Sequence, residues 1–327
     1  MGRNDDILTV VVAGPTASGK SAAASAIARE FNGVVINADS MQIYDGLPLL
    51  TARPTTDEMG DVPHRLYGVL DIGEVCSAAR WRDMAVAEID AARVADRMPV
   101  LCGGSGLYIK ALMEGLSPIP EIPADIRRSV RAGLETRGVA AMYEDLTARD
   151  PVMATRLKPT DRQRISRALE VLAATGRSLA DWQAEPPLGP PAGLRFATTC
   201  FLPPRDDLYA ACDARLRRMV ALGAVAEVAE ACEIHARHVR EGRGDGEESP
   251  IMKALGVPHF QAYNDGELDL ETAIEKAQQS TRQYAKRQIT WFTNNFISQL
   301  MINKKYSKNS NEKIFAFIRQ KLLTLDK

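Results

Sequence analysis

The chain has 327 residues, 45% of them hydrophobic and 25% charged, with a formal net charge of −1. That composition describes a globular protein of one large domain or two, with ample chain for a buried core. No apolar run approaches the roughly 20 residues that cross a bilayer, and the polar, acidic start Met1 to Asp6 reads as neither a signal peptide nor a myristoylation motif.

Ile7 to Ala13 is an apolar run broken only by Thr9, and it predicts a buried strand. It leads into Gly14-Pro15-Thr16-Ala17-Ser18-Gly19-Lys20-Ser21, which satisfies the phosphate-loop pattern G-x-x-x-x-G-K-[ST]. The glycines let successive N–H groups turn toward one anion. Lys20 adds positive charge, the Ser21 hydroxyl can hold Mg²⁺, and the Ala-rich stretch 22–30 predicts a helix whose positive end faces the phosphates. Strand, loop and helix in this order predict an α/β fold: a P-loop NTPase-like parallel sheet flanked by helices.

Gly33 to Ala38 predicts a second strand, ending at the polar loop Asp39-Ser40-Met41-Gln42-Ile43-Tyr44. Ligands of parallel sheets sit at this carboxyl edge, which brings Asp39 near the phosphates; an N-cap role for Asp39 is compatible with that. Residues 50–55 and 62–66 read as loops, with Arg53 facing a phosphate or solvent. A helix is expected from about Ser77 to Asp96, then a third strand, 98–102, closed by Gly103-Gly104-Ser105-Gly106. Where many nucleotide hydrolases carry a Mg²⁺-binding Asp, this strand end has glycines, which let a bulky ligand approach the backbone, and a Ser105 hydroxyl to bond it.

Two Pro-rich stretches, 117–123 and 186–191, bracket a region with no strand-like run and helical patterns at 124–136, 138–148, 151–156 and 160–175. They predict an all-helical inserted subdomain, 117–191, within a discontinuous core of 1–116 and 192–293. In its helix Asp161 to Val171, Ile165, Leu169 and Leu172 form an apolar stripe, while Arg164 and Arg167 share a polar face; Arg127, Arg128 and Arg131 add charge. Leu194 to Leu202 returns as a strand, followed by a helix from about Asp206 to Cys232 carrying Arg215, Arg217 and Arg218. One of these arginines can reach the phosphates. Cys232, His235 and His238 drift around a helix and make a poor metal site. Glu241 to Ser249 reads as a loop, and Leu270 to Phe292 as a helix that interleaves basic groups with Tyr284, Trp291 and Phe292. Residues 294–327 read as an Asn/Lys-rich tail of uncertain order, with a last helix at 311–325.

Residues 276–327 hold 11 Lys and Arg against 2 Asp and Glu, so the rest of the chain is acidic. This asymmetry points to an anionic polymer as partner or to a solvated tail. The five cysteines (76, 102, 200, 212 and 232) form no C-x-x-C pair, which fits a reducing cytoplasm better than disulfides or structural zinc.

GPTASGKS at 14–21, NADSMQIY at 37–44, GGSGLY at 103–108, DRQRISRALEV at 161–171 and AKRQITWF at 285–292 occur together and in this order. In this the chain resembles the tRNA dimethylallyltransferase (tRNA isopentenyltransferase) family. The resemblance implies transfer of a dimethylallyl group from dimethylallyl diphosphate to N6 of the adenosine 3′-adjacent to the anticodon, in tRNAs reading codons that begin with U. It implies a diphosphate site at Gly14 to Ser21 with Lys20 and Arg215, Mg²⁺ on Ser21, Asp39 as general base and Ser105 at the reaction channel. It further implies tRNA contacts from Asp39, Ser40, Met41, Gln42, Ser105, Arg127, Gln163, Arg164, Ile165, Ser166, Arg167, Lys253, Gly256, Lys286, Arg287 and Gln288. Arg53 and Val257 stand where the family usually has Lys and Tyr. The expected setting is a cytoplasmic monomer, with tRNA and dimethylallyl diphosphate as its partners. The alternatives are prenyl transfer to free adenine nucleotides, a small-molecule P-loop kinase with Asp39 as base, and a nucleic-acid-binding module.

Overall fold

The structure, a computed structural model, describes residues 6–243 and 249–325; the polar start of the chain and most of the Glu241–Ser249 loop lie outside them. Among these residues six strands form one parallel sheet: β1 (Ile7–Ala13), β2 (Gly33–Asn37), β3 (His64–Arg65), β4 (Met98–Gly103), β5 (Leu194–Phe201) and β6 (Leu300–Ile302). Their spatial order is β3-β2-β4-β1-β5-β6. Ala13 lies beside Gly103 on one side and Cys200 on the other, so three strands end level and release their loops at one edge.

Both faces of the sheet are covered, which is why β1 reads as a continuous apolar run. Val11 and Ala13 face a core with Trp81, Ile89, Leu112 and Phe260. Val10 and Val12 face the opposite core, with Ala24, Ile27, Ile314 and Ile318. The first helix, α1 (Lys20–Glu30), starts directly from the phosphate loop. Between the two segments read as loops, 50–55 and 62–66, lies α2 (Thr56–Met59), whose Thr55 and Glu58 form a capping box, and the second of those segments holds the two-residue strand β3. Then come α3 (Ala78–Val94), capped by Ser77, and α4 (Gly106–Met113).

Residues Glu114–Pro190 form a separate compact unit. Its helices are α5 (Ala124–Arg149), α6 (Pro151–Thr155), α7 (Arg162–Thr175) and α8 (Leu179–Ala184). A Gly138 φ of +77° breaks α5. Leu134, Met142, Leu146, Ile165, Leu169 and Val171 build this unit's own core.

The other unit resumes with β5, then α9 (Arg205–Ala221) and α10 (Ala224–Arg240). A single helix from 206 to 232 is therefore corrected: Gly223, at φ +106°, separates two. After α11 (Val257–Asn264) and α12 (Leu270–Asn295), the segment expected to be a tail joins the sheet as β6, Thr199 pairing Leu300. The last helix, α13 (Asn311–Leu325), buries Ile314 and Ile318 in the core beside α1. The boundary at residue 293 is thus wrong for this unit, which includes the described residues up to 325.

Candidate active site

The phosphate loop leaves β1 with backbone angles that demand glycine. Gly14 has φ +148°, and a Cβ there would sit 2.6 Å from the Phe201 carbonyl oxygen of β5. Gly19 has φ +87°, and a Cβ there would meet Tyr306 Cβ at 2.9 Å. Behind the loop, the Tyr306 N–H donates to the Ser18 carbonyl at 3.0 Å. Pro15 is buried and its carbonyl accepts from Ser18 N–H, while Ala17 also takes a left-handed φ of +62°.

Two cations meet at this loop. Lys20 is buried, and burial pulls its ammonium below the usual lysine range; the Arg215 charge acts in the same direction, with Asp39 opposing both. Arg215, on α9, donates from its guanidinium to the Thr16 hydroxyl. Burial also lowers Arg215, with Asp39 opposing the shift. Dehydrated positive charges side by side are stabilised by an anion. Of the three arginines considered on this helix, Arg217 instead pairs with Glu271 at the surface. An Asp213–Arg282 ion pair at 2.7 Å and a hydrogen bond from Gln278 Nε2 to the Asp213 carbonyl at 3.2 Å join α9 to α12.

Asp39 follows β2 and is half-buried. Its carboxylate accepts from the Met41 N–H at 3.0 Å, a turn that Asp forms readily. The fully buried Asn37 holds this turn from below: Oδ1 accepts from Asp39 N–H at 2.9 Å, and Nδ2 donates to the carbonyls of Asp39 and Leu66. Trp81 Nε1 donates to the Asn37 carbonyl at 2.9 Å. The Ser105 hydroxyl accepts from Ser40 N–H at 2.8 Å and donates to Ser40 Oγ at 3.1 Å, tying the two strand ends together.

Here the glycine turn is corrected. The space beside Gly103, Gly104 and Gly106 is filled by the protein itself and not by a ligand. A Cβ on Gly103 would lie 2.0 Å from the Ala38 carbonyl oxygen, one on Gly104 2.4 Å from Gln288 Nε2, and one on Gly106 2.3 Å from the Trp291 ring.

Thr16, Asp39 and Arg215 line a cavity of about 260 Å³, with Ser40, Met41, Lys253, Tyr284 and Arg287. Leu50, Leu216, Met219 and Leu255 give it an apolar wall. One chamber thus joins anion-binding groups, a carboxylate and a surface suited to hydrocarbon. A groove of about 910 Å³ shares Arg215 and Met219 with it. Arg53 lines that groove, paired with Asp45 at 3.2 Å.

Other residues singled out in the sequence lie elsewhere. Gln42 is buried, with Nε2 on the carbonyls of Thr51 and Ala52 at 2.9 and 3.0 Å. Gly256 is a buried turn residue at φ +99°, and Val257 packs in the core. Ile165 and Ser166 are buried in the helical unit, whereas Gln163, Arg164 and Arg167 on the same helix are exposed. Arg127 spends two donors on the Ile122 carbonyl. Lys286 and Arg287 are exposed on α12, but Gln288 is buried: Oε1 accepts from Thr16 N–H at 2.8 Å and Nε2 donates to the Gly104 carbonyl at 2.9 Å. Ile165, Ser166, Gly256, Gln42 and Gln288 are thus all buried, and the Gln42 and Gln288 amides bond within the protein. Asn37 is a functional residue that the sequence reading does not single out, although a polar residue closing an apolar strand just before Asp39 is a readable signal.

Ser21, the second residue of α1, is half-buried, its hydroxyl within hydrogen-bonding reach of the Cys102 thiol. Among the described residues no three His, Cys, Asp or Glu side chains gather as a metal cage. Instead, His238 faces Asp71 at 3.2 Å.

The family model of the IPP transferases matches residues 42–295. A tRNA dimethylallyltransferase of Paramagnetospirillum magneticum is 52% identical over 315 residues, 96% of this chain and 97% of that one. One of Rhodospirillum centenum is 52% identical over 283 residues, covering 86% and 87%. The full-length tRNA isopentenylpyrophosphate transferase of Bacillus halodurans matches with a TM-score of 0.66 at 31% identity, over 98% of each chain.

Proposed function

The chain belongs to the IPP transferase family, and from that premise we propose that it transfers a dimethylallyl group from dimethylallyl diphosphate to N6 of an adenosine in tRNA. The target is the adenosine immediately 3′ of the anticodon in tRNAs that read codons beginning with U. The observation that carries this reading is the shared cavity: the half-buried Arg215 on the phosphate-loop residue Thr16, one carboxylate and an apolar wall on a single chamber, with the buried Lys20 on the same loop.

The N6 lone pair attacks C1 of the dimethylallyl group, the C1–O bond breaks, and its electron pair leaves with diphosphate. Asp39 takes the N6 proton, a step usually worth about 10²–10⁴-fold. The N–H groups where the loop enters α1, with Lys20 and Arg215, stabilise charge building on the leaving diphosphate. Leu216, Met219 and Leu255 cover the five-carbon chain, excluding water that would otherwise capture it. Ser40, Met41 and Ser105 hold the adenine beside Asp39. Lys253, Lys286 and Arg287, with the exposed Gln163, Arg164 and Arg167 and the half-buried Arg127 of the helical unit, take the RNA backbone.

A magnesium ion fits the donor set at the loop. Ser21 offers one hydroxyl and Asp39 is the acidic group of the chamber, and Mg²⁺ commonly takes one or two protein oxygens and fills its shell from substrate phosphates and water. When bound, it supplies charge neutralisation at the diphosphate.

Incubation with labelled dimethylallyl diphosphate and either tRNA or AMP tests the proposal. Label should enter tRNA with release of diphosphate; label in AMP alone would make the enzyme a free-nucleotide prenyltransferase and overturn it.

A further inference from the structure

Gln288 lies on the same turn of α12 as Lys286 and Arg287 and would be grouped with them as an RNA contact by sequence position alone. Its side chain, however, is buried and fully engaged, accepting from Thr16 N–H at 2.8 Å and donating to the Gly104 carbonyl at 2.9 Å. These partners are 272 and 184 residues away in the chain. Thr16 belongs to the diphosphate loop and accepts the Arg215 guanidinium on its hydroxyl. Gly104 adjoins Ser105, whose N–H donates to the Ala38 carbonyl at 3.2 Å and whose hydroxyl holds Ser40. The residue between Ala38 and Ser40 is Asp39. Gln288 is thus a single amide spanning the loop for the leaving group and the loop that carries the base.

We infer that Gln288 is a positioning residue: it sets the distance between the diphosphate cradle and the Asp39 carboxylate, and it makes no contact with RNA. The inference rests on the prenyl-transfer reading. An amide suits the task, because the site needs an acceptor for a loop N–H and a donor for a strand-end carbonyl about one side chain apart. The bond to Gly104 is buried and that to Thr16 partly so, and an orphaned partner costs more where water is excluded. Gly104 is the matching half of the device. Any larger residue there would push its Cβ to 2.4 Å from Gln288 Nε2 and 3.2 Å from the Gly14 carbonyl.

Two single variants and their combination test this. Gln288→Met keeps length and helix propensity but removes both bonds. Gly104→Ala leaves Gln288 intact and displaces its amide. Each should lower turnover at saturation with both substrates by roughly 10–100-fold, the loss expected from misplacing reacting groups by about 1 Å. The KM for tRNA should stay within about twofold, and the double variant should be no slower than the slower single, because both act on one contact. Unchanged turnover, a loss confined to a raised KM for tRNA, or multiplicative losses in the double variant would overturn the inference. Thermal unfolding identifies any variant that fails to fold, and the other variant then decides by the same readouts. Transfer of label by the wild-type protein, measured alongside, separates this outcome from failure of the prenyl-transfer reading itself.

Discussion

The Arg215 guanidinium donates to the Thr16 hydroxyl, so the second cation of the site is anchored to the diphosphate loop before any ligand arrives. Burial lowers the pKa of Arg215 and of Lys20 alike, and the Asp213–Arg282 pair fastens the helix that delivers Arg215 to α12. The arrangement is a preformed anion cradle, and its parts make separable predictions.

Removing the guanidinium should damage the chemical step more than RNA binding. Arg215→Ala is expected to lower kcat/KM for dimethylallyl diphosphate by about 10²–10³-fold, as for loss of one oxyanion donor. Arg215→Lys should recover only part of this, since a point charge cannot reproduce the planar fork. Steady-state kinetics with each substrate varied in turn provides the check, and the KM for tRNA should move little.

Gly19→Ala places a side chain at φ +87° and against Tyr306 Cβ. The left-handed backbone alone costs about 1–2 kcal/mol. The variant should unfold at lower denaturant and lose diphosphate binding measured by calorimetry. Retained affinity for diphosphate would show that the loop tolerates displacement by the segment around Tyr306.

Asn37→Ala removes three hydrogen bonds from a fully buried position and strands the Asp39 N–H and the Leu66 carbonyl. Each buried orphan costs about 1–3 kcal/mol. Urea unfolding should report a loss in that range or above, and turnover should fall as well, because the turn that aims Asp39 loses its support.

Burial pushes the Cys102 thiol up to about 11 from its ordinary 9.0, although Lys20 and a Ser21 hydrogen bond oppose the shift. Between pH 9 and 11 the unfolded chain ionises this thiol while the folded chain keeps its proton. The unfolded state then binds fewer protons, so stability falls as pH rises through this window and is fully present below pH 9. The loss amounts to about 2–3 kcal/mol. Cys102→Val should flatten the slope of stability against pH across that range.

Much of the fold is legible because its signals are local. β1, the loop of 14–21 and α1 follow from an apolar run, two glycines and a lysine within twenty residues, and β2, β4 and β5 are buried runs that period and length identify. The helical unit shows itself through Pro-rich borders and the Asp161–Val171 stripe. What escapes is short or distant. β3 has two residues and β6 three, too few for any periodic pattern, and each exists only because a neighbouring strand offers an edge. The break between α9 and α10 rests on one backbone angle at Gly223, a residue that tolerates either reading. The duties of Gln288 and of the glycines at 103, 104 and 106 are set by partners from remote parts of the chain, so their neighbours in sequence say nothing of them. Ile165 and Ser166 show the converse: a motif associated with RNA contact also contains the residues that fix its helix to the core.

The central claim is that Asp39 accepts the proton from adenine N6 beside an anchored diphosphate. Single-turnover transfer of labelled dimethylallyl to tRNA by Asp39→Asn, with tRNA and diphosphate affinities measured on the same preparation, tests it most directly. Transfer should slow by at least about 10²-fold while both affinities stay within a few-fold of wild type. Transfer at the wild-type rate by that variant would contradict the account.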